Sequence, residues 1–169
     1  MQREVLLTTI GLPQGVFLSS RNNPFAEWGT IITNYGKCAT MFENAINSKK
    51  QGDIGMCYAI AYFSKMGYTV SIPITDSQDY DLIIDNGTLL KVQVKTTRCK
   101  DSRGIYQVAL KTCGGNRSGY TIKKFSENSS DLLFVLDNDG NMYLLPKQNI
   151  HSNTALLLGK EMEKYKVYL

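Results

Sequence analysis

The sequence predicts an α/β fold, of the α+β kind, in which helices pack against a mixed sheet. One observation is the helical recurrence of apolar residues between Gly52 and Lys65. Another is the series of short segments of strand type that follows, separated by clusters of Asp, Asn and Gly. The order helix, three strands, a further strand, a polar glycine-rich loop and more strand indicates a mixed sheet.

The helix is the first element of the predicted domain, with Ile54 and Tyr58 at helical spacing and Gly67 as its stop. Apolar residues cover more than one of its faces, so it packs against another element. Strands are predicted at 68–74, in a hairpin from 80 to 95, at 105–110, and in a second hairpin formed by 132–136 and 142–145. The glycine-rich stretch 113–120 is predicted to be a mobile loop.

Residues 1–48 are predicted to form a separate, mostly helical extension, and residues 49–169 the domain. Asn22 or Asn23 caps a helix with Pro24 in its first turn. A second helical stretch is predicted from Cys38 to Ile46, and 5–10 is a candidate strand. The role of this extension stays open between DNA contact, oligomer contact and shielding of the core.

The composition is that of an ordinary globular chain: 169 residues, 43% hydrophobic and 20% charged, with a net charge of +4. No apolar run is long enough for a spanning helix and no signal peptide is evident, so a cytoplasmic location and no membrane partner are expected. The four cysteines form no C-x-x-C pair and have no neighbouring histidine, which argues against zinc.

The first hairpin carries Asp81 on one strand and Gln93 and Lys95 on the next. A two-residue turn would send Asp81 and Gln93 to opposite faces of the sheet. A three-residue loop, Asp85-Asn86-Gly87 with Gly87 left-handed, pairs Ile84 with Thr88 and brings all three side chains to one face. The residue types favour the second loop.

These residue types suit phosphodiester hydrolysis. A carboxylate is the natural ligand for Mg²⁺, which offsets charge on a phosphate and activates water, and Mn²⁺ is expected to substitute. Asp81 fits that role, with the Gln93 amide oxygen and the Val94 carbonyl as further ligands. Lys95 would stabilise the anionic transition state or orient water. The competing interpretation is an ordinary exposed strand with alternating polar residues.

A basic stretch follows the hairpin and includes a single acid, Asp101. Such a surface is typical of proteins that neutralise DNA phosphates, although a solvated basic face would look similar. The predicted DNA-binding residues are Lys91, Arg98, Lys100, Arg103, Lys111, Arg117, Lys123 and Lys124.

Several motifs occur in one order along the chain. They are Lys50-Gln51-Gly52-Asp53-Ile54-Gly55, the helix to Met66 with Gly67-Tyr68, Tyr80-Asp81-Leu82-Ile83, Lys91-Val92-Gln93-Val94-Lys95-Thr96, Asp131-Leu132-Leu133-Phe134-Val135 and Tyr143-Leu144-Leu145-Pro146. Together, over about residues 49 to 169, they resemble the PD-(D/E)XK endonucleases associated with group I introns, a group in which Gln-x-Lys also occurs.

The resemblance implies an αβββαβ core, Mg²⁺-dependent cleavage of double-stranded DNA and a homo-oligomer, a dimer or tetramer. The family usually has glutamate on the helix where this chain has Met56, so Asp53 is predicted to join the catalytic residues, with Glu43 as the alternative. The leading hypothesis is a homing-type endonuclease. The alternatives are a structure-selective, junction-resolving or restriction-type nuclease, and a DNA-binding module with a weakened metal site.

Overall fold

The computed structural model describes residues 40–75, 77–116, 119–123, 125 and 129–169. Residues Thr40–Leu169 form one compact unit. Its elements are α1 (Ser48–Lys65), β1 (Thr69–Ser71), β2 (Leu82–Asp85), β3 (Leu89–Thr97), β4 (Gln107–Ala109), β5 (Thr112–Asn116), β6 (Gly119–Lys123), β7 (Leu132–Asp137), β8 (Met142–Pro146), β9 (Ala155–Leu157) and β10 (Lys166–Val167), with 3-10 helices at Lys147–Asn149 and Lys160–Tyr165.

The predicted helix is confirmed as α1, which begins one turn earlier than the sequence pattern indicated. Asn47 caps it, because its side-chain oxygen accepts the N–H of Lys50 at 2.9 Å. Gly67 follows the last turn with a φ of +82°, as its role as a stop requires. The face turned to the sheet buries Gln51, Gly55, Ala59, Tyr62 and Phe63.

The main sheet has six strands in the order β1-β2-β3-β7-β8-β10. Strands β3 and β7 pair in parallel, and the other neighbouring pairs are antiparallel. The predicted mixed sheet is therefore confirmed. The connection between the parallel strands holds β4 and the β5–β6 hairpin in its described residues, which contain no α-helix.

The loop of the first hairpin is one residue later than predicted. Asp85 pairs with Leu89 and Ile84 pairs with Leu90, so the loop is Asn86-Gly87-Thr88, and the predicted pairing of Ile84 with Thr88 is wrong. The Asp85 carboxylate accepts the Gly87 N–H at 2.8 Å, which holds Asp85 at the end of the strand and closes the turn after it. Gly87 has the predicted positive φ, +103°.

The loop shift moves the pairing partner of each β2 residue by two positions. Because side chains alternate with a period of two, a shift of two preserves which residues share a face. The loop length of three residues was therefore the important part of the prediction.

Two apolar cores lie on the two faces of the sheet. Between α1 and the first face lie Phe63, Leu82, Val92 and Phe134. On the other face, Leu133, Val135 and Leu145 pack with Val108 of β4 and Leu156 of β9. Strands β4 and β9 pair with each other in a small separate sheet.

Two predicted elements differ from the structure. Residues 40–46 form turns instead of the helix predicted from Cys38 to Ile46, because the N–H groups of Met41 and Phe42 bind Asn138 in the β7–β8 turn. The predicted loop 113–120 is instead the β5–β6 hairpin, in which backbone pairing does not depend on β-branched side chains.

The predicted division at residues 48 and 49 stays a prediction, and its elements before residue 40 lie outside the described residues. Phe42 and Ala45 are buried in the core beside α1, so the packed unit includes them. None of the helices in the described part of the chain is long and apolar enough to cross a membrane.

Candidate active site

Asp81 lies immediately before β2, where two residues of the chain meet one residue of β3. Its N–H donates to the Val92 carbonyl at 2.8 Å, although Val92 is already the pairing partner of Leu82. This local irregularity turns the Asp81 carboxylate onto β3, where it accepts the Val94 N–H at 2.6 Å. Asp81 is therefore held against the strand that carries Gln93 and Lys95.

Lys95 follows Val94 and has a half-buried side chain. Burial lowers the pKa of its ammonium group, and the negative charge of Asp81 opposes that shift. The two side chains thus interact electrostatically, as the predicted site requires.

A cavity of about 350 Å³ holds these groups. Its lining residues come from α1, the start of β2, β3 and the end of β4: Gly52, Met56, Asp81, Val94, Lys95, Thr96, Ala109 and Lys111. Met56 therefore faces Asp81 from the helix, at the position where the family resemblance leads to an expected glutamate. Among the described residues that line the cavity, Asp81 is the one acid.

Gln93 is 7% exposed and does not line this cavity. It pairs with Leu133 of β7, and alternation along β3 places it on the same face as Lys95. Its predicted role as a metal ligand stays a prediction.

The structure does not bring Asp53 into the cavity. Gly52 and Met56, four residues apart on α1, face the cavity, whereas Asp53 is exposed and lies 3.9 Å from the ammonium of Lys50. Glu43 is also exposed and does not line the cavity. Neither acid takes the place of the expected helix glutamate in this geometry.

The predicted DNA-binding residues separate into groups. Arg98 and Lys111 line a second cavity beside the first. Lys100 lies 3.3 Å from Asp139 and Arg103 lies 2.9 Å from Asp101, so each has an acidic partner. Lys91 places its ammonium 5.3 Å from the centre of the Tyr80 ring.

The other three residues of that prediction fall outside what the structure describes. Arg117 and Lys124 lie outside the described residues. Lys123 is in β6, and its side chain lies outside the described part of the structure.

The sequence reasoning missed the contact between Gln51 and Thr96. The Gln51 amide donates to the Thr96 hydroxyl at 2.9 Å, and Gln51 is 8% exposed. This hydrogen bond joins α1 to β3 next to Lys95. The two residues are 45 positions apart, so no local pattern indicates their contact.

The donor set fits one hard cation. Val94 directs its N–H toward Asp81, and the carbonyl of a strand residue points to the same edge as its N–H, so the Val94 carbonyl faces the cavity side beyond the start of β2. One carboxylate and one carbonyl suit Mg²⁺, which keeps several waters when protein ligands are few. The thioether of Met56 is not a useful ligand for it. Within the described residues, no cluster of three or more His, Cys, Asp or Glu occurs.

The fold and the cavity are those of a nuclease. The sequence profile of the PD-(D/E)XK endonucleases matches residues 46–167, and the chain belongs to this family. Among solved structures, it is similar to that of a bacterial homing endonuclease, I-Ssp6803I, with 28% sequence identity and a TM-score of 0.61 over 71% of this chain and 88% of that one. No curated protein matches the chain significantly.

Proposed function

We propose that the chain is a metal-dependent endodeoxyribonuclease of the homing type that hydrolyses phosphodiester bonds in double-stranded DNA. The observation that carries the proposal is the meeting of Asp81, Val94 and Lys95 in one cavity of an endonuclease-family fold. The likeness to a bacterial homing endonuclease supports the homing type.

Asp81 and the Val94 carbonyl are the proposed ligands of Mg²⁺ or Mn²⁺, with the Gln93 amide oxygen as a third. Such an ion, when bound, offsets phosphate charge and makes a nucleophile from water near neutral pH. Lys95 donates hydrogen bonds to the phosphate oxygens that gain charge in the transition state. The Asp81 carboxylate favours the charged form of Lys95 that this role needs, against the effect of burial on its pKa.

Each copy of the chain has one Asp81 and one Lys95, so one copy cuts one strand. A double-strand break therefore requires two active sites, which supports a homo-oligomer, either a dimer or a tetramer. Sedimentation of the protein with its DNA would give the number of copies.

A cleavage assay on a library of randomised DNA duplexes tests the proposal. Because every sequence is offered at once, sequencing of new DNA ends in Mg²⁺ or Mn²⁺ would detect cutting at any target. We expect cleavage by the parent, and a loss on the order of 10²–10³-fold in Lys95→Met because the transition state loses its cation. Lys160→Met removes the charge of an exposed lysine outside the cavity, so it controls for net charge.

A second candidate function is favoured by one observation: Met56 faces Asp81 where the family usually has a metal-binding glutamate. The chain would then bind DNA without efficient cutting. Met56→Glu separates the two candidates. If the parent binds duplex DNA but cuts it in neither metal, and Met56→Glu restores cutting, the chain is a weakened nuclease.

The same assay separates the homing type from a structure-selective nuclease. Four-way junctions and linear duplexes would be offered together at equal concentration. We expect cutting at a long linear sequence. Preferential cutting of junctions of any sequence would contradict the homing type while leaving the metal-dependent nuclease in place.

A further inference from the structure

Three cavities join into one trough that runs through the candidate active site. The central cavity shares Met56 and Asp81 with a cavity under the β1–β2 connection. On its other side it shares Thr96, Ala109 and Lys111 with the cavity beside Arg98. We call the two flanking cavities the loop arm and the basic arm of the trough.

The basic arm is suited to phosphate groups. Arg98 and Lys111 line it and both are exposed, so they can meet a ligand without first losing a buried partner. Ser48, the first residue of α1, also lines it, and the N-terminal end of a helix adds positive potential. No acid occurs among the described residues that line this arm. The positive potential here favours successive phosphates of a DNA strand.

The loop arm has the opposite character. Ile72 is 57% exposed and Ile74 is fully exposed, although both are large apolar side chains. Apart from Asp81, no charged residue occurs among the described residues that line this arm. Lys91 contacts the Tyr80 ring, but Lys91 itself does not line the arm. Such a surface suits sugars and bases better than phosphates.

We propose that the trough grips the cleaved strand asymmetrically. On one side of the scissile bond, the phosphates lie against Arg98 and Lys111. On the other side, the sugars and bases contact Ile72 and Ile74, and the phosphates contribute little. This inference rests on the proposed function, because it takes the ligand of the central cavity to be the DNA strand that is cut.

Charge-neutral phosphates provide the direct test. Duplexes carrying one methylphosphonate at a chosen position near the cut would be compared for binding in Ca²⁺, which replaces Mg²⁺ without supporting efficient cutting, and for cleavage in Mg²⁺. On one side of the cut, neutralising a phosphate should weaken binding about tenfold, since a charge-assisted hydrogen bond is lost. On the other side, the change should be less than about twofold. Equal losses on both sides would overturn the asymmetry.

Variants assign the two sides to the two arms. Arg98→Gln and Lys111→Gln should each reduce the slope of log affinity against log salt by about 0.9 and should abolish the effect of the methylphosphonates on the sensitive side. Ile72→Ser and Ile74→Ser should weaken binding and leave the salt slope unchanged. Lys160→Gln, which changes an exposed lysine outside the trough, should alter neither.

The outcome is separable from that of the proposed function. If the parent cuts DNA and methylphosphonates act equally on both sides, the asymmetric grip is wrong and the nuclease stands. If the parent does not cut but binding in Ca²⁺ shows the one-sided pattern, the trough is a DNA site and the nuclease proposal fails. A salt slope that changes in the isoleucine variants would also overturn the assignment of the arms.

Discussion

The β2–β3 and β7–β8 hairpins each place an aspartate at a structural irregularity, and they use it differently. Asp137 is 1% exposed, and its carboxylate accepts the N–H groups of Asp139 and Asn141 and the Asn141 side-chain amide, each at 2.9 Å. Asp81 accepts the Val94 N–H at 2.6 Å and lines a cavity with Lys95. One carboxylate completes its own turn, and the other is presented to a ligand.

The largest expected effect comes from exchanging each carboxylate for an amide. Asp81→Asn keeps an oxygen for the Val94 N–H but removes the ligand charge, so cleavage should fall by about 10³-fold with little change in stability. Asp137→Asn places an amide N–H₂ against the Asn141 amide, so the free energy of unfolding should fall by about 2 kcal/mol. Cleavage rates and urea unfolding curves of both variants would measure this contrast.

Glu161→Gln, an exposed acid outside the trough, controls for the change in charge. The comparison breaks if Asp81→Asn unfolds the protein as much as Asp137→Asn does. It also breaks if Asp137→Asn loses cleavage while its stability is unchanged.

The next effect concerns the packing of α1 on the first hairpin. A Cβ at Gly55 would collide with Thr96 Cγ2 and would lie 3.3 Å from Val94 Cγ1. Gly55→Ala should therefore cost about 1–3 kcal/mol and displace α1 from β3 beside Lys95. Gly52→Ala meets no atom within 4 Å and should instead stabilise the helix by about 1 kcal/mol. Equal stabilities of the two variants in urea would contradict this close approach.

A smaller effect separates stability from function at Lys95. Because the pKa of Lys95 is lowered in the folded protein, the unfolded chain holds this proton more tightly. Its contribution therefore makes the free energy of unfolding rise with pH from the lowered pKa up to the ordinary value of 10.5. Lys95→Met should raise stability near neutral pH by about 1 kcal/mol and remove this rise.

Urea unfolding of the parent and Lys95→Met at several values between pH 7 and 10 would measure the difference. A parallel dependence on pH in both proteins would show that the burial of Lys95 has no energetic consequence.

The second hairpin should show the smallest effect, with the opposite sign. Burial, followed by the charge of Asp137, raises the pKa of Tyr143 from 10.0 to about 12. The unfolded chain therefore ionises first, and the stability contributed by neutral Tyr143 is lost as pH rises from 10 through about 12. Tyr143→Phe should weaken this loss in thermal unfolding, and an unchanged loss would assign it to other tyrosines.

The site could be predicted largely because its key residues lie in one hairpin. Gly87 and the polar residues before it indicated a three-residue loop, and that length kept Asp81 on the side of Lys95. The position of the loop was wrong because the Asp85 side chain closes the turn from the strand end, a contact that residue type alone did not reveal.

Other parts of the molecule depend on contacts between distant segments. Lys111 joins the cavity of Asp81 only through the fold of the connection after β3. The contact of Gln51 with Thr96 spans 45 positions, and the helical direction of Asp53 depended on a helix start that the pattern placed too late. The β5–β6 pairing was missed because its glycine-rich strands lack the side chains by which strands are recognised.

The parallel pairing of β3 with β7 has a consequence for the order of folding. Each paired residue, such as Val92 with Leu132, is separated by roughly 40 positions, so this half of the sheet closes only after a long loop is ordered. The β2–β3 hairpin needs only neighbouring residues and can form on the microsecond scale. We therefore expect Asp81 and Lys95 to approach each other before the sheet is complete, with closure onto β7 as the slow step that fixes them.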